Sequence, residues 1–287
     1  MKKTVFLLSL LPLVLCCRPE EINAGEPLEP EPETLDTLRI LAIGNSFSAD
    51  AVEQNLWELF QAADIPAVIG NMAAPGSYLA HHWNRAQSGD AVYRYFKRTE
   101  EGGLNREAWT FQEGVLDEDW DFISLQQASD ISGVYDTYFP FLPDLKTLLG
   151  TLSDAEIVFH QTWAYPEGSS QTAFATYGND QAAMYAAIID AAKRACETCG
   201  IRIVIPSGTA VQNARSRLGD TLNRDGLHLE LNYGRFLAAC VWFETFSGQD
   251  VRTNPWRPSS VPEDVAALCR EAAHYACLKP YETTPMN

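Results

Sequence analysis

A chain of 287 residues, 46% of them hydrophobic, is long enough for one large domain with a proper core. Its formal net charge of −17 repels phosphate backbones and anionic lipid, which argues against nucleic acid as a partner.

The N-terminus reads as an address. Lys2 and Lys3 form a positive region before the largely apolar stretch from Val5 to Leu15, which has signal-peptide length and is too short to span a bilayer. The stretch ends in Leu13-Val14-Leu15-Cys16-Cys17 and resembles a bacterial lipobox, whose cysteine becomes the lipidated first residue of the mature protein. Cys17 is the expected anchor, because it sets the small Cys16 just before the cut. Cys16 stays open as the alternative, and so does an ordinary secreted protein. Residues 18–37 carry Glu20, Glu21, Glu26, Glu29, Glu31, Glu33 and Asp36 among four prolines. Such a segment cannot bury enough apolar surface to order itself and is expected to be a disordered tether. The pair Glu20-Glu21 resembles export signals of surface lipoproteins in some Gram-negative bacteria. The expected location is the cell envelope, lipid-anchored at the outer membrane, with the cell surface as one destination.

One folded domain is expected over residues 38–287, with strand and helix signals alternating. Arg39–Ile43 reads as a buried strand and Ala49–Ala63 as an amphipathic helix. Ala67–Met72 is a second strand, and a helix follows over Tyr78–Ala86. Residues 89–119 show no clear pattern beyond a Gly102-Gly103 turn. Asp121–Leu125 and Glu156–Phe159 are further strands, separated by a helix over Phe141–Leu152. The loop 164–179 is long enough to shape a binding site. Asp180–Cys199 is a helix closed by Gly200, and Ile201–Ile205 is a fifth strand stopped by Pro206. Helices over Tyr233–Phe246 and Val261–Leu278 complete the chain, the latter with a Ser260/Glu263 capping box. Five βα units imply an α/β fold: a three-layer α/β/α sandwich around a parallel, flavodoxin-like five-stranded sheet.

The chemistry concentrates in two segments. Gly44-Asn45-Ser46-Phe47-Ser48 ends the first strand in a tight turn, which exposes a hydroxyl at the carboxyl edge of the sheet. Asp225-Gly226-Leu227-His228 sets a carboxylate and an imidazole three residues apart, on one turn. A serine is a weak nucleophile without a base, and the base needs an orienting acid. Ser46, His228 and Asp225 supply the three parts. Ser48 is expected to cap the following helix rather than to attack anything. Trp83, Trp163 and Tyr165 sit where aromatic rings could stack on a sugar, although core packing is the commoner role there. His81 and His82 are candidates for the rim of the site, and His160 for a satisfied core residue. No histidine shows metal spacing with a carboxylate, so neither metal nor cofactor is expected. Beyond the first pair there are five cysteines, an odd number, so at least one thiol is expected unpaired. Cys196 and Cys199 have neither a second ligand pair nor a thioredoxin-like context.

These blocks resemble the SGNH (GDSL-type) hydrolases, and more closely a bacterial branch of envelope lipoproteins with Gly-Asn-Ser-Phe in the first block. The resemblance covers about Leu38 to Phe246 and implies esterase chemistry through a Ser46–His228–Asp225 triad. It also implies an oxyanion hole built from the Ser46 N–H, the Gly76 N–H and an amide ending the third strand. Many members carry Asn there; this chain has Gln126-Gln127, and Gln126 aligns best with the glutamine used by one branch of sugar O-acetylesterases. The implied substrate is an ester, foremost an O-acetylated glycan, attacked through an acyl-serine intermediate. A catalytically inactive glycan-binding or scaffold lipoprotein on the same fold is the alternative.

Overall fold

Period-two facing is plain in the first strand of the structure, a computed structural model that describes residues 36–286. In β1 (Leu38–Gly44), Ile40 and Ala42 enter one core cluster while Leu41 and Ile43 enter another, because successive side chains point to opposite faces. The lipobox, the anchor candidates Cys16 and Cys17, and most of the expected tether lie outside the described residues. Among the described residues no helix is long and apolar enough to cross a membrane.

β2 (Ala67–Ala73) runs parallel to β1 and continues into an antiparallel hairpin, β3 (Tyr93–Thr99) and β4 (Gly102–Trp109). On the other side of β1 follow β5 (Phe122–Leu125), β6 (Glu156–His160) and β7 (Val204–Ile205), all parallel. The order is β4-β3-β2-β1-β5-β6-β7. Its parallel part is doubly wound, as flavodoxin-like sheets are. The expected five strands become seven, because the hairpin fills the stretch that showed no clear pattern. Tyr93 and Tyr95 face inward there, but charged residues and a bulge between them blur the alternation.

Helices cover both faces. α1 (Ser46–Val52) and α2 (Leu56–Gln61) replace the single helix expected over 49–63. The break falls at Asn55, whose φ of +71° is a left-handed conformation that asparagine tolerates. α3 (Leu79–Ser88), α4 (Phe111–Val115), α5 (Phe141–Leu152) and part of α6 (Gln181–Cys199) pack on the Leu41/Ile43 face. α7 (Ser207–Leu218) and α8 (Tyr233–Ser247) join α1 and α2 on the opposite face, and α9 (Glu263–Leu278) packs against both. The capping box expected for α9 is absent. Pro262 is the N-cap, Ser260 donates to Asn232 Oδ1, and Glu263 pairs with Arg257 and Arg270.

Candidate active site

The strands β1, β2, β5 and β6 end at one edge of the sheet, on either side of β1, where the strand order reverses. Open α/β sheets bind ligands at such a switch point. Asn45 turns the chain from β1 into α1. Its φ of −134° is extended rather than left-handed, so asparagine is not there to relieve strain. It is there for its side chain: Oδ1 accepts from Phe47 N and from Gln126 Nε2, each at 2.9 Å, and Nδ2 donates to Ser77 O at 3.2 Å. Asn45 is thus the N-cap of α1, a role worth about 1 kcal/mol in general. Ser48, expected to cap, instead donates back to Asn45 O. Ser46 opens α1, so its N–H is among those a helix leaves without an intrahelical partner.

The distant segment meets this turn. Ser46 Oγ lies 2.9 Å from His228 Nε2, and His228 Nδ1 lies 2.9 Å from Asp225 Oδ2. An ionised carboxylate only accepts, so Nδ1 carries the proton and the Nε2 lone pair receives the Ser46 hydroxyl. Asp225 is itself held, because Oδ1 accepts from Leu227 N at 2.9 Å and from His228 N at 2.7 Å. Burial opposes its ionisation, but these N–H groups and the imidazole prevail and hold its carboxyl below the usual range. The base sits on a firm floor. Trp163 stacks on Phe47 with ring centroids 4.1 Å apart, and its Nε1 donates to Leu227 O at 2.8 Å.

A cleft of about 340 Å³ opens above Ser46, walled by Gly76, Tyr78, Ala128, Ser129, Asp130 and Tyr165, with Gln171, Thr172 and Ala173 from the loop after β6. The Tyr78 hydroxyl donates to Asp130 Oδ2 at 2.7 Å, and the Tyr165 and Ser129 hydroxyls are 3.0 Å apart. The sequence singled out Tyr165 and the loop, but not Tyr78, Ser129 or Asp130. Their signal was position alone, just past the ends of β2 and β5. Trp163 packs in the core and the partly buried Trp83 packs against it, and neither His81 nor His82 lines the cleft.

Gly76 lines the cleft with φ +63°, and an added Cβ would meet nothing within 4 Å. Glycine is required there by the backbone conformation, not by crowding. Gln126 corrects the expectation for the third block. It is 1% exposed and lies behind the turn, where Nε2 donates to Asn45 and Oε1 is 3.2 Å from His160 Nδ1. Gln127 is equally buried, engaged with Leu79 N, Ala128 N and Thr137. The residue after Leu125 leaves the strand pointing under the Gly44-Asn45 turn, so neither amide reaches the cleft.

His160 completes that buried chain, with Nε2 3.0 Å from Ser207 Oγ. Burial pushes its pKa down to about 3; burial, then the charges of Arg85 and His81, does the same for His82. Both regain the ordinary value of 6.5 on unfolding. The unfolded chain therefore binds more protons between those limits. The stabilising effect is complete above pH 6.5 and is lost as pH falls toward about 3, at up to about 1.4 kcal/mol per pH unit for each histidine. His160→Gln, measured by denaturant titration across this window, is expected to flatten the acid side of the stability curve. An unchanged slope would remove His160 as a contributor.

His274 has carboxylate neighbours that spacing along the chain did not reveal. Its ligand atoms and those of Glu244 and Asp250 lie within 4.8 Å of one another. Each is already partnered: His274 Nδ1 is 2.8 Å from Glu244 and 3.3 Å from Asp250, and Arg252 holds Asp250 and keeps its pKa near 2. The His274–Glu244 hydrogen bond and the Arg252–Asp250 ion pair account for the cluster. The five cysteines among the described residues are all free thiols, and burial pushes Cys196, Cys269 and Cys277 up to about 12.

The profile of the family described as Domain of unknown function (DUF4886) matches residues 39–276. The crystal structure of a DUF4886 family protein from Bacteroides uniformis ATCC 8492 superposes with a TM-score of 0.86 at 42% identity, covering 88% of this chain and 98% of that one. A candidate SGNH hydrolase from Slackia heliotrinireducens gives a TM-score of 0.51 at 21% identity, covering 73% of this chain and 99% of that one. A candidate GDSL-like lipase from Parabacteroides merdae ATCC 43184 gives 0.51 at 17%, covering 75% and 99%. These two likenesses show a shared fold. No curated protein matches. With the profile spanning most of its length and a solved relative at this identity, the chain belongs to the DUF4886 family.

Proposed function

We propose that the protein is a serine esterase of the SGNH type, acting on O-acetyl groups of carbohydrate. The observation that carries this reading is the continuous line from Ser46 Oγ through His228 to Asp225, with both links at 2.9 Å. Ser46 Oγ attacks the ester carbonyl carbon as its proton passes to His228 Nε2. The developing oxyanion faces the N–H groups of Ser46 and Gly76. Collapse breaks the bond to the sugar oxygen, which takes the proton from His228 and leaves Ser46 acylated. Water, deprotonated by the same nitrogen, then attacks the acyl carbon; the bond to Ser46 Oγ breaks, Oγ takes the proton from His228, and acetate leaves. Gln126 acts indirectly by fixing Asn45.

Support for a short acyl group on a polyol comes from the walls. Ala128, Ala173 and Gly76 are small, while the hydroxyls of Tyr78, Ser129, Tyr165 and Thr172 and the Gln171 amide supply polar groups beside the Asp130 carboxylate and the apolar Phe47 and Leu227. A lipid anchor at Cys17 would place this chemistry on glycans of the cell envelope. A second reading has one observation in its favour: Gln126 is withdrawn, which leaves two backbone donors in place of the three groups expected. In that reading the protein binds glycan without turning it over. Fluorophosphonate labelling separates the two. The wild type is expected to be labelled and Ser46→Ala not, with acetate released from O-acetylated polysaccharide by the wild type alone. A folded wild type that stays unlabelled, yet retains polysaccharide, would establish the second reading.

A further inference from the structure

Asp50 lies one helical turn beyond Ser46 on α1 and is 1% exposed. A carboxylate so deeply buried needs partners, and Asp50 takes them from two other parts of the fold. Arg224 Nη1 donates to Oδ1 at 3.0 Å and to Oδ2 at 2.9 Å. Leu229 N donates to Oδ2 at 3.0 Å. From α8, Arg235 donates through Nε at 2.9 Å, with Nη2 2.8 Å from the same Oδ1. Arg224 and Leu229 bracket the acid and the base. Their segment is closed on itself by Arg224 N to His228 O at 3.0 Å, by Arg224 Nη1 to Leu229 O, and by an Asn223–Leu229 bridge.

Arg224 also stands beside the acid. Its Nε is 3.9 Å from Asp225 Oδ2, the oxygen that receives the His228 proton. A guanidinium released from Asp50 would find that oxygen next to it and compete with the imidazole for it.

We propose that Asp50 is a positioning residue for the triad. It ties the segment carrying Asp225 and His228 to the helix carrying Ser46, and it occupies Arg224 so that Asp225 stays with the imidazole. This rests on the reading of Ser46 and His228 as nucleophile and base.

The test compares full-length wild type, Asp50→Asn, and Asp50→Asn combined with Arg224→Gln. Each is measured for kcat and KM on nitrophenyl acetate and for the low-field NMR resonance of the His228 Nδ1 proton. In the single variant kcat is expected to fall about 100-fold with KM changed by less than about twofold, since misplacement by roughly 1 Å costs that much. The low-field resonance is expected to disappear. Removing the competing guanidinium in the double variant is expected to restore the resonance and at least about tenfold in kcat. A purely structural role predicts the reverse, with the double variant no better than the single. That outcome, or a single variant with wild-type kcat and resonance, would overturn the proposal. If Asp50→Asn does not fold, Asp50→Glu keeps the charge while displacing both guanidinium groups by a methylene. It is expected to fold and to lose at least about tenfold in kcat; wild-type kcat in that variant would overturn the proposal equally. A wild type that hydrolyses no ester would sink the esterase reading, while the resonance still judges Asp50.

Discussion

Asp225→Asn is expected to lower kcat on a short-chain nitrophenyl ester by about 10⁴-fold with the fold intact, as carboxylate-to-amide exchange does in other triads. The geometry explains why so small a change costs so much. Asp225 Oδ1 accepts two backbone N–H groups, from Leu227 and His228. An asparagine keeps those bonds by leaving its oxygen there, which turns its NH₂ toward His228 Nδ1. The imidazole must then accept at Nδ1 and carry its proton on Nε2, where Ser46 needs a lone pair. The side chain is 47% exposed, so the exchange buries no new polar group. Steady-state kinetics and a thermal melt together check this. A kcat within tenfold of wild type would mean that the imidazole does not work in the tautomer inferred.

The second large effect falls on stability. Gly208→Ala is expected to destabilise the protein by about 3 kcal/mol, at the upper end of what overpacking costs. A Cβ at Gly208 would sit 2.1 Å from Thr162 O and 3.0 Å from Thr162 C, both backbone atoms that cannot step aside. The whole start of α7 would have to move. That start is stitched to the end of β6: Gly208 N donates to Gln161 O, and Gln161 Oε1 accepts from Thr209 N and Thr209 Oγ1. Displacing this joint disturbs the run that carries Trp163 under Phe47, so activity should fall as well. Gly150→Ala is the internal control. It lies within α5, where a Cβ meets nothing within 4 Å, and is expected to stabilise by about 0.5–1 kcal/mol. Urea titrations of both variants read the contrast, and equal midpoints would show that α7 can yield.

The same joint explains one of the elements sequence reasoning missed. Ser207-Gly208-Thr209 after Pro206 is a poor helix former, and α7 exists because tertiary contacts outweigh propensity. By contrast, the parallel strands were legible because each is a short, nearly continuous apolar run, buried on both faces. The hairpin was not, because β3 buries only Tyr93 and Tyr95 and β4 buries no residue fully. Ser46, Asp225 and His228 were legible because chain geometry does the work locally: a strand-ending turn for one, three residues on a single turn for the others. What surrounds them depends on which way side chains point after a strand stops. Gln126 and Gln127 illustrate this, since spacing placed them at the right strand end and said nothing of their facing inward. Asp50 likewise reads as an ordinary helix residue until Arg224 and Arg235 arrive from much later in the chain.

The β3–β4 hairpin has a bearing on how the molecule meets its own copies. All seven residues of β2 are buried, and the hairpin takes up the backbone groups along its outer side. The margin left facing water belongs to β4, where Asn105, Arg106 and Glu107 are exposed. A neighbouring copy seeking to add itself there would have to strip hydration from a cation and an anion together, which works against edge-to-edge growth. Cut away residues 93–109, and an unguarded ladder would become a template for stacking, so the hairpin guards this edge of the sheet.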